Sequence, residues 1–140
     1  NLGIILKDLG NLKEAEISIR KAIQLNPNFP EAHSNLGNTL RDLGNLKEAE
    51  LSQRKAIELN PDFAMAYSNL GRILLDLGET DQAIINFEKA IAIKPDMSEG
   101  LVGLGRSLLL KNQYIKGLNC FKRGEGTIAF DLDNGVSIRN

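Results

Sequence analysis

The chain has 140 residues, with 17 basic and 18 acidic side chains and a formal net charge of −1. That balance argues against a nucleic-acid partner, which needs a clustered basic surface, and no run approaches the roughly 18 apolar residues of a membrane span. A single cysteine, Cys120, excludes an internal disulfide, and one cysteine with one histidine, His33, cannot supply a usual zinc ligand set.

Four glycines, Gly3, Gly37, Gly71 and Gly105, stand 34 residues apart. Each follows a leucine (Leu2, Leu36, Leu70, Leu104) and precedes another by three residues (Leu6, Leu40, Leu74, Leu108). A fixed period of this length marks stacked helix-turn-helix units rather than one globular core. Four such units and a tail fill the chain and leave no room for a separate catalytic domain.

The first unit, residues 1–29, starts partway into its first helix and carries no initiator methionine. It is expected to belong to a longer array, so the lack of a signal peptide is uninformative. Gly10 marks the turn between its two helices, and Pro27 ends the second. The unit at 30–63 is the clearest. Pro30 suits a first helical turn, and Ala32, Leu36, Leu40 and Leu43 recur at helical spacing. Gly44 is a C-terminal stop, because glycine enters the left-handed conformation without steric cost. A second amphipathic run with Leu46, Ala49, Ala56, Ile57 and Leu59 ends at Asn60-Pro61. The unit at 64–97 repeats this with Gly78, Ala83, Ala90 and Pro95. Small residues at these places let helices approach closely. No helix pair can bury its apolar face alone, so the units must stack.

The unit at 98–126 is degenerate. Gly105, Leu108 and Phe121 hold their places, but Gly117 and Gly124 replace the alanines and Ala129 stands at the proline position. Gly124-Glu125-Gly126 is expected to stop its second helix early. In the tail, 127–140, apolar residues alternate (Ile128, Phe130, Leu132), and Asp133-Asn134-Gly135 is a strong turn signal before Val136 and Ile138. A three-residue loop with left-handed Gly135 would set Leu132 opposite Val136 and Phe130 opposite Ile138. A lone hairpin is marginal in water, so this one should cap the last unit, open a further domain or join a second copy.

Tyr67, Leu70, Gly71, Leu74, Ala83, Phe87, Ala90 and Pro95 resemble the tetratricopeptide repeat pattern. The preceding unit reads His33, Leu36, Gly37, Leu40, Ala49, Gln53, Ala56, Pro61, with Gln53 where an aromatic is usual. The resemblance covers about residues 1–122. It implies an all-α fold, a right-handed superhelical α-solenoid of helix-turn-helix repeats, here followed by the short C-terminal β-hairpin. His33-Ser34-Asn35-Leu36 and Tyr67-Ser68-Asn69-Leu70 are similar to the superhelical repeat region of O-linked N-acetylglucosamine transferase.

In that family the first helix of each unit lines a concave groove. The resemblance places groove residues two before, one after and five after each periodic glycine, a spacing that shares one helical face. These are Asn35, Asn38 and Asp42; Asn69, Arg72 and Asp76; Asn1, Ile4 and Asp8; and Gly103, Arg106 and Leu110. Asn1, Asn35 and Asn69 form a column that breaks at Gly103, with Asp8, Asp42 and Asp76 beside it. An asparagine amide both donates and accepts, which suits the backbone of an extended peptide. The alternative is that these amides are solvated, or bond a neighbouring helix and set the stacking. A basic clamp for a terminal carboxylate fits poorly, since only Arg72 and Arg106 are cationic.

No catalytic constellation is present. His33 takes the packing position that Tyr67 and Leu101 hold in later units. Cys120 reads as a small buried hydrophobe, and neither Gly103-Leu104-Gly105 nor Gly124-Glu125-Gly126 is a phosphate loop. The expected function is a cytoplasmic, non-catalytic scaffold that binds a protein or peptide in its groove, with no cofactor, metal, nucleic acid or membrane. Two alternatives stand beside it. One is self-assembly as a homodimer through terminal repeats or the hairpin. The other is service as the substrate-recruiting arm of a larger enzyme.

Overall fold

The same backbone device turns the chain wherever one unit folds back on itself. At Gly44 (φ +84°) the amide of Gly44 donates to the Arg41 carbonyl at 2.9 Å and that of Asn45 to the Leu40 carbonyl at 2.8 Å. At Gly78 (φ +80°) the amide of Gly78 meets the Leu75 carbonyl at 3.0 Å and that of Glu79 the Leu74 carbonyl at 2.8 Å. This paired capping satisfies the orphan carbonyls of a helix end and needs a left-handed residue at its centre. In the degenerate unit Asn112 takes that place at φ 61°, with the Asn112 amide on the Leu109 carbonyl (3.0 Å) and the Gln113 amide on the Leu108 carbonyl (2.9 Å). Asparagine is the residue that best tolerates this conformation after glycine.

The computed structural model describes residues 2–125, 127–131 and 135–139, with side chains over 8–124. Helices run over Leu2–Leu25 (α1), Pro30–Asp42 (α2), Leu46–Leu59 (α3), Ala64–Asp76 (α4), Thr80–Ile93 (α5), Ser98–Leu110 (α6) and Tyr114–Glu125 (α7). The last is 12 residues long where α3 and α5 each have 14, in line with its glycine-rich end. Between units, Asn60 closes the turn at Pro61: its carbonyl accepts the Phe63 amide at 3.1 Å and its side-chain Oδ1 the Asp62 amide at 3.2 Å. Thr127–Asp131 (β1) and Gly135–Arg139 (β2) follow.

No helix pair owns a core. One cluster joins Leu70, Leu74, Ala83 and Phe87 of α4 and α5 to Leu104, Leu108 and Cys120 of α6 and α7. Another joins Leu36, Leu40 and Ala49 of α2 and α3 to Ile73 of α4. The periodic glycines explain themselves here. A methyl group on Gly37 would sit 2.7 Å from Gln53, one on Gly71 2.8 Å from Phe87, and one on Gly105 3.1 Å from the Phe121 ring. Each glycine thus lets a helix backbone lie directly on the side chain sixteen residues later. Besides these neighbours, α2 touches α4 and α4 touches α6, whereas among the described residues α3 and α5 do not meet. The stack is therefore tighter along the first helices, and α2, α4 and α6 form its inner wall. The fold is an all-α stack of tetratricopeptide-like helix pairs.

Two expectations need correction. The turn expected at Gly10 is absent: α1 is one unbroken helix of 24 residues, and Gly10 has no positive φ. At Gly44 and Gly78 the reversal is held by a buried interface between the two helices. In α1 the corresponding surface is not covered: Ala22 is exposed, whereas its equivalents Ala56 and Ala90 are both 0% exposed. Without that burial, continued backbone hydrogen bonding wins over the turn. The hairpin register also differs. Phe130 lies across from Val136 and Ile128 from Ile138, so the pairing is shifted by two residues from that expected. The expected partner Leu132 falls in 132–134, outside the described residues.

These conformations give a direct stability test. Gly44→Ala and Gly78→Ala should each cost about 1–2 kcal/mol, because alanine is strained at positive φ. Gly10→Ala should stabilise by about 0.5–1 kcal/mol, since glycine is the weaker helix former and nothing lies within 4 Å of an added methyl. Urea unfolding of the three variants measures this; a destabilised Gly10→Ala would mean that the chain reverses there after all.

Candidate functional site

The inner wall is built from the faces of α2, α4 and α6 that precede each turn. Asn35 and Asp42 of α2, Arg72 of α4 and Arg106 of α6 are exposed on it. Asn38 is half-buried, and its Oδ1 accepts the Gln53 amide at 3.2 Å. Asp76 is bound by the Arg41 guanidinium, Nε to Oδ2, at 2.6 Å. Asp8 is exposed on the unbroken α1, outside this wall; Asn1 and the side chain of Ile4 lie outside the described residues. Leu110 is exposed at the end of α6, and Gly103 is buried.

Asn69 departs from the expectation. It is only 4% exposed, and its Nδ2 donates to Ser34 Oγ at 3.3 Å. The amide ties α4 to α2 instead of facing a guest. Asn35, by contrast, is exposed. The two asparagines therefore share a repeat position but not an environment, and among the described residues the column stays open only at Asn35.

A buried polar junction surrounds Asn69. Gln53, fully buried in α3, donates from Nε2 to the Ser34 carbonyl at 2.9 Å as well as to Asn38. Among the described residues, Gln53 Oε1 and Ser68 Oγ are the buried side-chain atoms without a partner. At the next junction Phe87 replaces Gln53 and Gly103 replaces Asn69. A methyl group on Gly103 would lie 2.2 Å from the Phe87 ring. A large ring thus demands glycine opposite, and the smaller glutamine leaves room for asparagine. This exchange explains why the asparagine column breaks at Gly103. The signal was present in the repeat alignment, as a size swap between positions sixteen residues apart, but only the stacking shows that the two positions meet.

The Arg41–Asp76 pair was equally unmarked, because Leu75 stands at the position equivalent to Arg41. It is one of several cross-unit pairs, with Arg20–Glu48, Lys47–Glu79 at 3.6 Å and Lys111–Asp81 at 3.0 Å. These are exposed and each contributes roughly 0–1 kcal/mol. His33 Nε2 donates to the Pro27 carbonyl at 2.8 Å, closing the link between α1 and α2, which is a structural task. Cys120 is buried, and that burial pushes its thiol pKa up against the opposing charge of Arg123. A thiol held protonated is a poor nucleophile. Among the described residues no group of three His, Cys, Asp or Glu side chains converges as a metal site, and no helix is long and apolar enough to cross a membrane.

The size exchange predicts non-additivity. Gln53→Phe alone should destabilise by about 1–3 kcal/mol, because the ring overpacks against Asn69. Adding Asn69→Gly should recover at least half of that loss, a coupling typical of residues in contact. Thermal unfolding of the single and double variants checks it, and strictly additive effects would show that positions 53 and 69 do not share a seat.

Comparison with known proteins bears on this geometry. Residues 29–96 match a family model described as tetratricopeptide repeat, and residues 3–44 match one described as TPR repeat. No curated protein matches the sequence. Among solved structures, one of MamA is 30% identical with a TM-score of 0.75, the match covering 88% of this chain and 72% of that one. A second MamA structure is 30% identical with a TM-score of 0.73, covering 88% and 67%. A MamA RS-1 ArsTM double mutant, 24% identical with a TM-score of 0.73 over 87% and 68%, is alike in fold.

Proposed function

Because the chain belongs to the tetratricopeptide repeat family, we propose that it is a non-catalytic scaffold whose inner wall takes an extended segment of a partner protein. Proteins built of these repeats generally mediate protein–protein interactions. One observation carries the finer reading. Two sets of polar side chains stand out on the wall. Asn38, Asn69 and Asp76 are engaged by Gln53, Ser34 and Arg41 and hold neighbouring helices together. Asn35, Arg72 and Arg106 are exposed on the same wall, and no hydrogen bond to another side chain ties them down among the described residues. A rigid surface that keeps some donors fixed and others open presents hydrogen-bonding groups without having to reorder on binding, which lowers the entropic cost of holding a peptide.

Binding through backbone contacts at Asn35 and charged contacts at Arg72 and Arg106 would be tolerant of most guest side chains. It needs no ionisable group of shifted pKa and no nucleophile.

The test is a titration of isotope-labelled protein with a peptide selected from a random library. Amide and side-chain signals of Asn35, Arg72 and Arg106 should move, and those of the outer helices α3 and α5 should not. Asn35→Ala should weaken the selected peptide by roughly 2- to 10-fold, the worth of one net hydrogen bond, with the fold unchanged. Shifts confined to α3 and α5 would remove the inner wall as the binding surface.

A further inference from the structure

A hollow of about 240 Å³ opens on the inner wall between α4 and α6. We propose that it is a subsite for an acidic side chain, glutamate in preference to aspartate, carried by the extended segment that the wall binds; this rests on the reading of the wall given above.

The hollow lies at the Phe87–Gly103 exchange. At the preceding junction the equivalent space holds Asn69, whose amide bridges to Ser34. At this one the position is glycine, with the fully buried Phe87 ring packed beneath it, and Leu75 and Val102 form the apolar sides. Arg72 and Arg106 also line it, and both are exposed.

Charge selects the occupant. Among the described residues the ion pairs made by arginine involve Arg20, Arg41 and Arg54, and none involves Arg72 or Arg106. The reason lies in the sequence and the stacking together. Asp76, four residues beyond Arg72 and its natural helical partner, is held instead by Arg41. The residue four beyond Arg106 is Leu110, where the earlier units carry Asp42 and Asp76. Glu99 is the one acidic residue in the lining, which leaves the hollow with a net positive charge. A carboxylate between two guanidiniums forms charge-assisted hydrogen bonds, stronger than neutral ones. The methylenes of glutamate would lie on the half-buried Leu75 and Val102. Aspartate is shorter and covers less of these two side chains, and a lysine or arginine would be repelled.

The experiment is selection from a random decapeptide library with acetylated amino ends and amidated carboxyl ends, which removes any terminal carboxylate as the source of the signal. The native protein should enrich peptides bearing glutamate at one fixed position. Replacing that glutamate by glutamine should weaken binding roughly ten-fold or more at low salt, with the loss shrinking as salt screens the contact. Arg72→Gln and Arg106→Gln, both on exposed positions, should each lose the preference for glutamate over glutamine while still binding the peptide weakly. Selected peptides without an acidic preference, or a preference unchanged by both arginine variants, would overturn the subsite and leave the wall's general role standing. No peptide retained at all would overturn both.

Discussion

The arrangement depends on one close contact repeated in the units at 30–63, 64–97 and 98–126: a glycine in the first helix lying against the side chain sixteen residues later. Gln53, Phe87 and Phe121 are the three side chains so covered, and a single methyl group on Gly37 or Gly71 would already be too close. The contact sets how deeply one helix sinks onto the next. At α6 and α7 it goes further, because Gly117 replaces the usual alanine and each of Gly105 and Gly117 faces the other's carbonyl oxygen at a distance that leaves no room for a side chain. Protein interiors tolerate few voids, so this depth fixes the spacing of the units, and the spacing fixes which residues face one another along the inner wall.

The consequences divide the wall into a structural part and an open part. Where Gln53 occupies the seat, asparagine fits opposite and its amide binds the neighbouring helix. Where Phe87 occupies it, only glycine fits, and a hollow is left with two arginines beside it. The same packing rule therefore yields a polar rivet at one junction and a recess at the next. The Arg41–Asp76 pair adds to this asymmetry, since it draws the aspartate away from Arg72. None of these effects is large alone; an exposed ion pair contributes roughly 0–1 kcal/mol. Their weight lies in deciding which donors remain available.

Much of the fold was legible in the sequence because its signals are local and repeated. Gly44 and Gly78 are helix stops by their own backbone preference, and the alanines at 49, 56, 83 and 90 are fully buried where the period placed them. Asn112 shows the limit of reading by residue type: it does the work of glycine without looking like it. Gly10 shows the converse. It has the stop signal, yet the turn does not form, because a turn needs a second helix surface to bury and not only a permissive residue. The site was legible in position but not in role. Asn35 and Asn69 are indistinguishable in the repeat, and only the neighbour across the stack separates the exposed amide from the buried one.

The most direct test is a crystal structure of the protein with a peptide selected by it. The peptide backbone is expected to run along α2, α4 and α6, within hydrogen-bonding distance of the Asn35 amide and crossing the recess over Phe87. A peptide seated on the outer surface formed by α3, α5 and α7, with the inner wall unoccupied, would contradict the idea that the stacking exists to present that wall.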